Sequence, residues 1–284
     1  MKGLIPLAGI LALLALAAPP RAFAVDVEPS RLEVTLTLDE PAPAELTVSN
    51  HGSKPVGVKL GAGPYRHFQA GLNIPTAEDW ISFDPSFFTL APGASSTVTV
   101  LFNPPASLVD DSAAEYLAAI LVDELPAEGE ASPPGASRVN IVPRLALPVY
   151  IEIKGRERME VEISGLSAGV AQPLKTTEGG KSAELLQLDT TLKNLGSVHT
   201  RPSGTMAVFD GEGRLVRAMG LGKSPPLLPT ATLVIPTFLP LPAPGRYKAV
   251  VTVEGRGDQV LQREHRFEVM EDSRIAAGEA LSDE

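Results

Sequence analysis

Apolar and polar residues alternate in short runs along most of this chain, and the runs are separated by proline, glycine, asparagine and serine. A period of two puts successive apolar side chains on one face of a strand, so each run predicts a strand with one buried face. Leu32, Val34, Leu36 and Leu38 form the first run. Leu46 and Val48 follow Pro41 and Pro43, and Val56, Val58 and Leu60 come after the turn sequence Asn50-His51-Gly52-Ser53. Val98, Val100 and Phe102 make another run, then Tyr116, Ala118, Ile120 and Val122. The longest passes from Val139 and Ile141 across Pro143 to Leu145, Leu147, Val149, Ile151 and Ile153. No window of residues 25–155 holds a 3.6-residue period for three turns, so residues 25–153 are expected to form a sandwich of about seven strands.

A charged stretch at residues 154–158 reads as a linker, and a second strand series begins at Met159, Val161 and Ile163. It continues through Leu186, Leu188, Leu192, Met206, Val208, Leu233, Ile235, the alternate positions from Tyr247 to Val253, and Phe267 with Val269. Turn sequences such as Asp210-Gly211-Glu212-Gly213 and Ala243-Pro244-Gly245 fit hairpin chemistry. The fold class is therefore all-β, with a second sandwich over residues 159–270 and an acidic, small-residue tail at 271–284 expected to be unstructured. A short internal repeat accompanies this division. Asn50-His51-Gly52-Ser53 has a counterpart in Asn194-Leu195-Gly196-Ser197, and Leu90-Ala91-Pro92-Gly93-Ala94 has one in Leu227-Leu228-Pro229-Thr230-Ala231. Two copies of one sandwich type explain the match, and so do favoured turn sequences recurring independently.

The first residues change the picture of where the protein works. Met1-Lys2 leads into an apolar stretch from Leu4 to Ala18, then Pro19-Pro20, then Ala22-Phe23-Ala24 before Val25-Asp26. That is the pattern of a secretory signal peptide over residues 1–24, with a small-x-small cleavage site. Its apolar core falls short of the roughly 20 residues a span requires, and no later segment supplies them, so stable membrane insertion is not expected. Loss of Lys2 and Arg21 takes the formal net charge of −10 to −12, which repels nucleic acid and anionic lipid alike. The absence of cysteine excludes a disulfide framework, a thiolate metal site and a cysteine nucleophile, and no cofactor is implied.

Catalytic patterns are present only in outline. Gly165-Leu166-Ser167-Ala168-Gly169 matches the G-x-S-x-G elbow of serine hydrolases, with His199 and His265 downstream as candidate bases. The elbow needs a strand leading into a helix, whereas Pro173 and Gly179-Gly180 follow here, so a plain Gly/Ser turn is expected and no enzymatic activity. Gly220-Leu221-Gly222-Lys223-Ser224 ends like a phosphate loop but has Arg217 where that loop needs glycine, and Pro225-Pro226 where it needs a helix. The four histidines lie far apart, and Asp110-Asp111 and Asp39-Glu40 lack the spacing of a calcium loop, so no metal site is expected.

Pro29-Ser30-Arg31, Leu46-Thr47-Val48-Ser49-Asn50, Trp80-Ile81-Ser82-Phe83 and Leu90-Ala91-Pro92-Gly93 follow one another ahead of a final strand after a long loop. In the order and spacing of these motifs, residues 25–153 resemble the first domain of the periplasmic pilus-assembly chaperones and related immunoglobulin-like sandwich domains. The resemblance implies two tandem immunoglobulin-like β-sandwiches and a partner that is an exported protein subunit or another envelope protein. In that family a basic pair in the cleft between the domains holds the subunit's terminal carboxylate, and the last strand of the first domain lends alternating apolar side chains to the subunit. Arg31 falls where the first-strand arginine of that pair is found, while the lysine position falls near Ala146, with Arg144 two residues away on the same strand face. The implied partner-binding residues are thus Arg31, Arg144, Val139, Ile141, Leu145 and Leu147. Pro143 and Pro148 mark their strand as an edge or bulged one. The expected function is that of a periplasmic, chaperone-like binder of extended segments, added as strands to an exposed edge. A structural scaffold or adhesion module that binds a folded protein or a glycan is the alternative.

Overall fold

A computed structural model describes residues 24–38, 40, 42–65, 74–126, 142–171, 184–256 and 259–277. Most of the expected leader, Val139 and Ile141 lie outside the described residues. Among the described residues there is no α-helix, and strands build two sandwiches. No helix among them is long and apolar enough to cross a membrane.

Among the described residues the first sandwich has nine strands where about seven are expected, and six of them carry the alternating runs. They are β1 (Val25–Glu28), β2 (Leu32–Leu36), β3 (Ala42–Asn50), β4 (Val56–Gly63), β5 (Ile81–Asp84), β6 (Phe87–Leu90), β7 (Ser95–Phe102), β8 (Glu115–Pro126) and β9 (Arg144–Ile153). The additional strands β1, β5 and β6 have four residues each, too few to display an alternation. One sheet has the order β1-β3-β7-β5 and the other β2-β9-β8-β4-β6. The chain leaves β1 in the first sheet and crosses to the second within residues 29–31, where β2 runs parallel to β9. Side chains from the alternating runs meet between the sheets, with Leu36, Leu46, Val58, Val98, Phe102, Ile120 and Ile151 fully buried. Trp80 packs against this core and tilts onto Tyr116, with ring centroids 4.6 Å apart. Burying each such aliphatic side chain contributes roughly 1.5–3 kcal/mol, the main force holding a chain without disulfides.

The second sandwich comprises β10 (Val161–Ala171), β11 (Leu185–Asn194), β12 (Ser203–Asp210), β13 (Leu215–Gly220), β14 (Thr232–Pro240), β15 (Gly245–Glu254), β16 (Val260–Val269) and β17 (Ile275–Ala277). Its sheets have the orders β10-β11-β14 and β13-β12-β15-β16-β17. The tail expected to be unstructured from residue 271 instead supplies β17, because Ile275 packs against the core as its strand pairs with β16. The G-x-S-x-G sequence lies within β10, where Ser167 is exposed and opposite Asp189 of β11. Among the described residues the motif is continuous strand, with no turn at Ser167 to raise a nucleophile.

The two turn sequences that repeat along the chain occupy the same place in the two sandwiches. Asn50 is fully buried and its Nδ2 donates to the carbonyls of Leu90 and Ala91, while its Oδ1 accepts from Gly52 N–H at 2.9 Å. Asn194 is equally buried, its Nδ2 donates to Leu227 O at 2.9 Å, and its Oδ1 accepts from Gly196 N–H at 2.8 Å. The backbone agrees: Asn50 N–H donates to Ala94 O and Asn194 N–H to Ala231 O. Gly196 must lack a side chain, since a Cβ there would come within 2.2 Å of Arg158 O.

Candidate functional site

Two neighbouring features are suited to binding, one beside a strand of the first sandwich and one between the sandwiches. The first is an unfilled lane beside β9. Residues 149–153 of β9 pair with β2, but among the described residues 144–148 pair only with β8, because the chain preceding Leu32 has crossed to the other sheet. Glu124 N–H donates to Pro143 O at 3.0 Å, which makes residues 124 and 143 a hydrogen-bonded pair. Alternation along an antiparallel ladder then turns the backbone polar groups of Arg144, Ala146 and Pro148 away from β8 and into the lane. Arg144 and Ala146 present both N–H and C=O there; Pro148 presents only C=O. The expected edge character of this strand is thus confined to its first half.

The side chains of the strand divide by parity. Leu147 is buried in the core and Leu145 packs against it, whereas Arg144 and Ala146 are exposed. Arg144 is held by Asp123 directly opposite, Nε to Oδ1 at 2.5 Å and Nη2 to Oδ2 at 2.9 Å. The Arg144 hydrogen bond holds the Asp123 carboxyl below its usual range.

The second feature is the cleft between the sandwiches, a cavity of about 530 Å³ lined by Glu33, Thr200, Arg201, Ser203, Arg256 and Gln259 among others. Beside it, outward-facing residues of the first sandwich meet the second. Tyr150 and Leu117 are buried there and join the second sandwich's core rather than their own. Glu115 and Glu152, opposite one another on β8 and β9, are also buried. Like charges in that arrangement repel, so a counter-ion is required. His199 satisfies Glu115 by hydrogen bonding: its backbone N–H donates to Glu115 Oε2 at 2.8 Å and its Nδ1 hydrogen-bonds Oε1. Arg256 supplies the counter-ion through an ion pair with Glu152. Glu33 of β2 accepts from Arg31 Nε at 2.7 Å and Arg201 Nε at 3.0 Å, with His199 Nε2 at 3.9 Å. Tyr150 underlies the group, its ring 4.4 Å from the His199 ring and 5.4 Å from the Arg201 guanidinium carbon. Burial pushes the Tyr150 hydroxyl up to about 12.

Burial likewise pushes the Glu115 carboxyl up, against the opposing hydrogen bond from His199. At Glu33 burial raises the carboxyl, but Arg31, Arg201 and His199 together outweigh it and hold it low. In the cleft wall Thr200 is buried, and its Oγ1 has no hydrogen-bond partner among the described residues.

Arg31 therefore sits next to the cleft, joined to Arg201 through Glu33, and Arg144 lies at the far end of the open lane. The structure adds residues that the sequence reading missed. Glu33, Glu115 and Glu152 fall out of phase with the apolar runs and read as solvent-facing; Arg201 and Arg256 sit in turns without a motif. The sequence offers His199 as a candidate hydrolase base, whereas the folded chain bonds it to Glu115, not Ser167. No group of metal-ligating side chains occurs among the described residues.

No protein-family model matches this chain, and no curated protein matches it. Solved structures do. The Pseudomonas aeruginosa CupB2 chaperone is 13% identical, with 84% of this chain and 98% of that chain covered at a TM-score of 0.40. The class 5 fimbriae chaperone CfaA is 10% identical, with 84% and 98% covered at 0.43. The Salmonella enterica SafA pilin in complex with the SafB chaperone matches at 14% identity, with 88% and 98% covered at 0.40. Among the described residues the chain is an all-β protein of two sandwiches, and these chaperone structures are what it is similar to.

Proposed function

We propose that this protein binds an extended segment of another exported polypeptide, taking it up as an added strand beside residues 144–148 with its end at the arginines of the cleft. The observation that carries this reading is the lane itself, where the outward backbone donors and acceptors of Arg144 and Ala146 have no partner strand among the described residues. A strand filling the lane lies end to end with β2, so it terminates at Arg31, with Arg201 just beyond Glu33. Both arginines bind Glu33 through Nε. Their terminal amino groups suit a carboxylate or carbonyl group of the incoming chain. Leu145 at the rim of the lane, with Val139 and Ile141 upstream, supplies the apolar side chains assigned to the partner, while Leu147 remains with the core and Arg144 frames the far end. The leader expected at residues 1–24 places this binding in the periplasm. The protein is read as a non-catalytic binder of an exported subunit or envelope protein.

One observation favours a scaffold or adhesion module instead. The Arg144–Asp123 ion pair and Pro148 shield the same lane from strand addition. Ala146→Pro separates the two readings, because it removes an N–H that faces the lane and leaves the β8 ladder intact. Crosslinking capture from the envelope with wild type beside Ala146→Pro and Arg31→Glu is expected to retain an exported protein on wild type alone. Amide exchange at Arg144 and Ala146 should slow in that complex. Equal capture by all three baits, with unchanged exchange at those amides, would reject strand addition and leave the scaffold reading.

A further inference from the structure

At the end of the first sandwich away from the cleft, a carboxylate is directed at the backbone where β1 begins. Glu124 Oε2 accepts from Ala24 N–H at 3.0 Å and from Val25 N–H at 3.3 Å. Two neutral amides of consecutive residues thus converge on one oxygen of a half-buried glutamate, and no lysine or arginine forms an ion pair with it among the described residues. The peptide bond between those residues is the one that the small-x-small pattern Ala22-Phe23-Ala24 marks for cleavage. Val25 opens β1 opposite Asn50, and its side chain is buried.

We propose that Glu124 is the receptor for the amino terminus created when the leader is cut between Ala24 and Val25. In that step a leader peptidase adds water across the peptide bond. The new carboxylate departs on Ala24, and the amine stays on Val25 and takes up a proton. A weak amide donor is thereby replaced, at the same nitrogen, by an ammonium facing a carboxylate, which is the stronger, charge-assisted form of the contact. The His51 N–H bond to Ala24 O, 2.7 Å long, is lost with the leader, and water replaces it because His51 is exposed. The pair ties β1 in one sheet to β8 in the other. It exists only after processing, so the precursor folds without it and the exported chain gains it.

The sign of the effect follows from the charges. An ammonium held by a carboxylate titrates above its ordinary range, so the contact contributes fully below about pH 8 and is lost as pH rises past the raised value. The test uses the exported protein as it leaves the cell. Mass mapping is expected to find Val25 at its amino terminus. The terminal amine, labelled by ¹³C-dimethylation and titrated by NMR, should be raised by about one unit, a tenfold gain in proton affinity, over a Glu124→Gln protein labelled in the same way. Should Glu124→Gln fail to fold, the wild-type titration is repeated in 1 M salt, where the shift should shrink at a Debye length of about 3 Å. A terminus at any other residue, a wild-type amine titrating with the variant's, or a value that salt leaves unchanged would each overturn the proposal.

Discussion

Two asparagines show how single residues specify each sandwich. Asn50 and Asn194 each close a strand, fold back on a glycine two residues later, and use the amide to hold carbonyls of a distant turn. Burying so many backbone groups is tolerable only because a side chain satisfies them. The distant turn shows one difference between the copies. Gly93 has φ +73°, and its counterpart Thr230 has φ +63°, a left-handed backbone that a β-branched residue adopts at a cost. Thr230→Gly is therefore expected to stabilise the protein by about 0.5–1 kcal/mol, after allowance for glycine's greater freedom when unfolded. Urea unfolding would measure this, and a loss of stability would mean that Thr230 makes a compensating contact. This corner was legible in the sequence because both of its halves are local tetra- and pentapeptides that recur. His199 was not, because its partner Glu115 lies 84 positions away and no local pattern connects them.

At the level of elements, the strands were legible wherever alternation lasted long enough, and the treatment of the edges was not. β14 shows why. It is the free edge of its sheet, and Leu241 N–H donates to Glu184 O, so by alternation Val234, Pro236, Phe238 and Pro240 turn their backbone toward solvent. Two of those four positions are prolines, which have no N–H to offer, in a strand whose outer face carries the exposed side chains of Val234 and Phe238. The apolar edge formed by β14 thus lacks half of its outward donors, which opposes pairing. The lane beside β9 differs, since only Pro148 is so placed and Ala146 keeps its donor. Replacing Pro236 and Pro240 with valine restores two outward donors. The doubly substituted protein is expected to self-associate at concentrations where wild type is monodisperse by sedimentation. Unchanged sedimentation would show that the prolines are not what keeps this edge closed.

At the scale of the whole molecule, the carboxylates buried or half-buried at the joint come from one sandwich and most of their partners from the other. Glu33, Glu115 and Glu152 come from the first sandwich; His199, Arg201 and Arg256 come from the second. Neither half can bury its own charges alone, so each sandwich supplies what desolvation of the other demands. Six residues spread from position 33 to 256 form this joint, and in the sequence each looks like an ordinary solvated charge. The acids also pull in opposite directions with pH. Burial holds Glu115 above the ordinary glutamate value of 4.5, so its contribution is present at low pH and is lost as pH rises beyond that value. Glu33 is held below 4.5, so its contribution is present above that pH and disappears as pH falls through the lowered value. Glu33 is partly exposed and screened by water, which limits its share to less than about 1 kcal/mol. Glu33→Gln should therefore unfold more readily than wild type at pH 6, and the gap should close as pH falls below 4.5. Chemical unfolding of both proteins across that range checks the sign. A gap that stays constant with pH would place the loss in packing, and one that widens in acid would mean that the arginines do not hold Glu33 ionised.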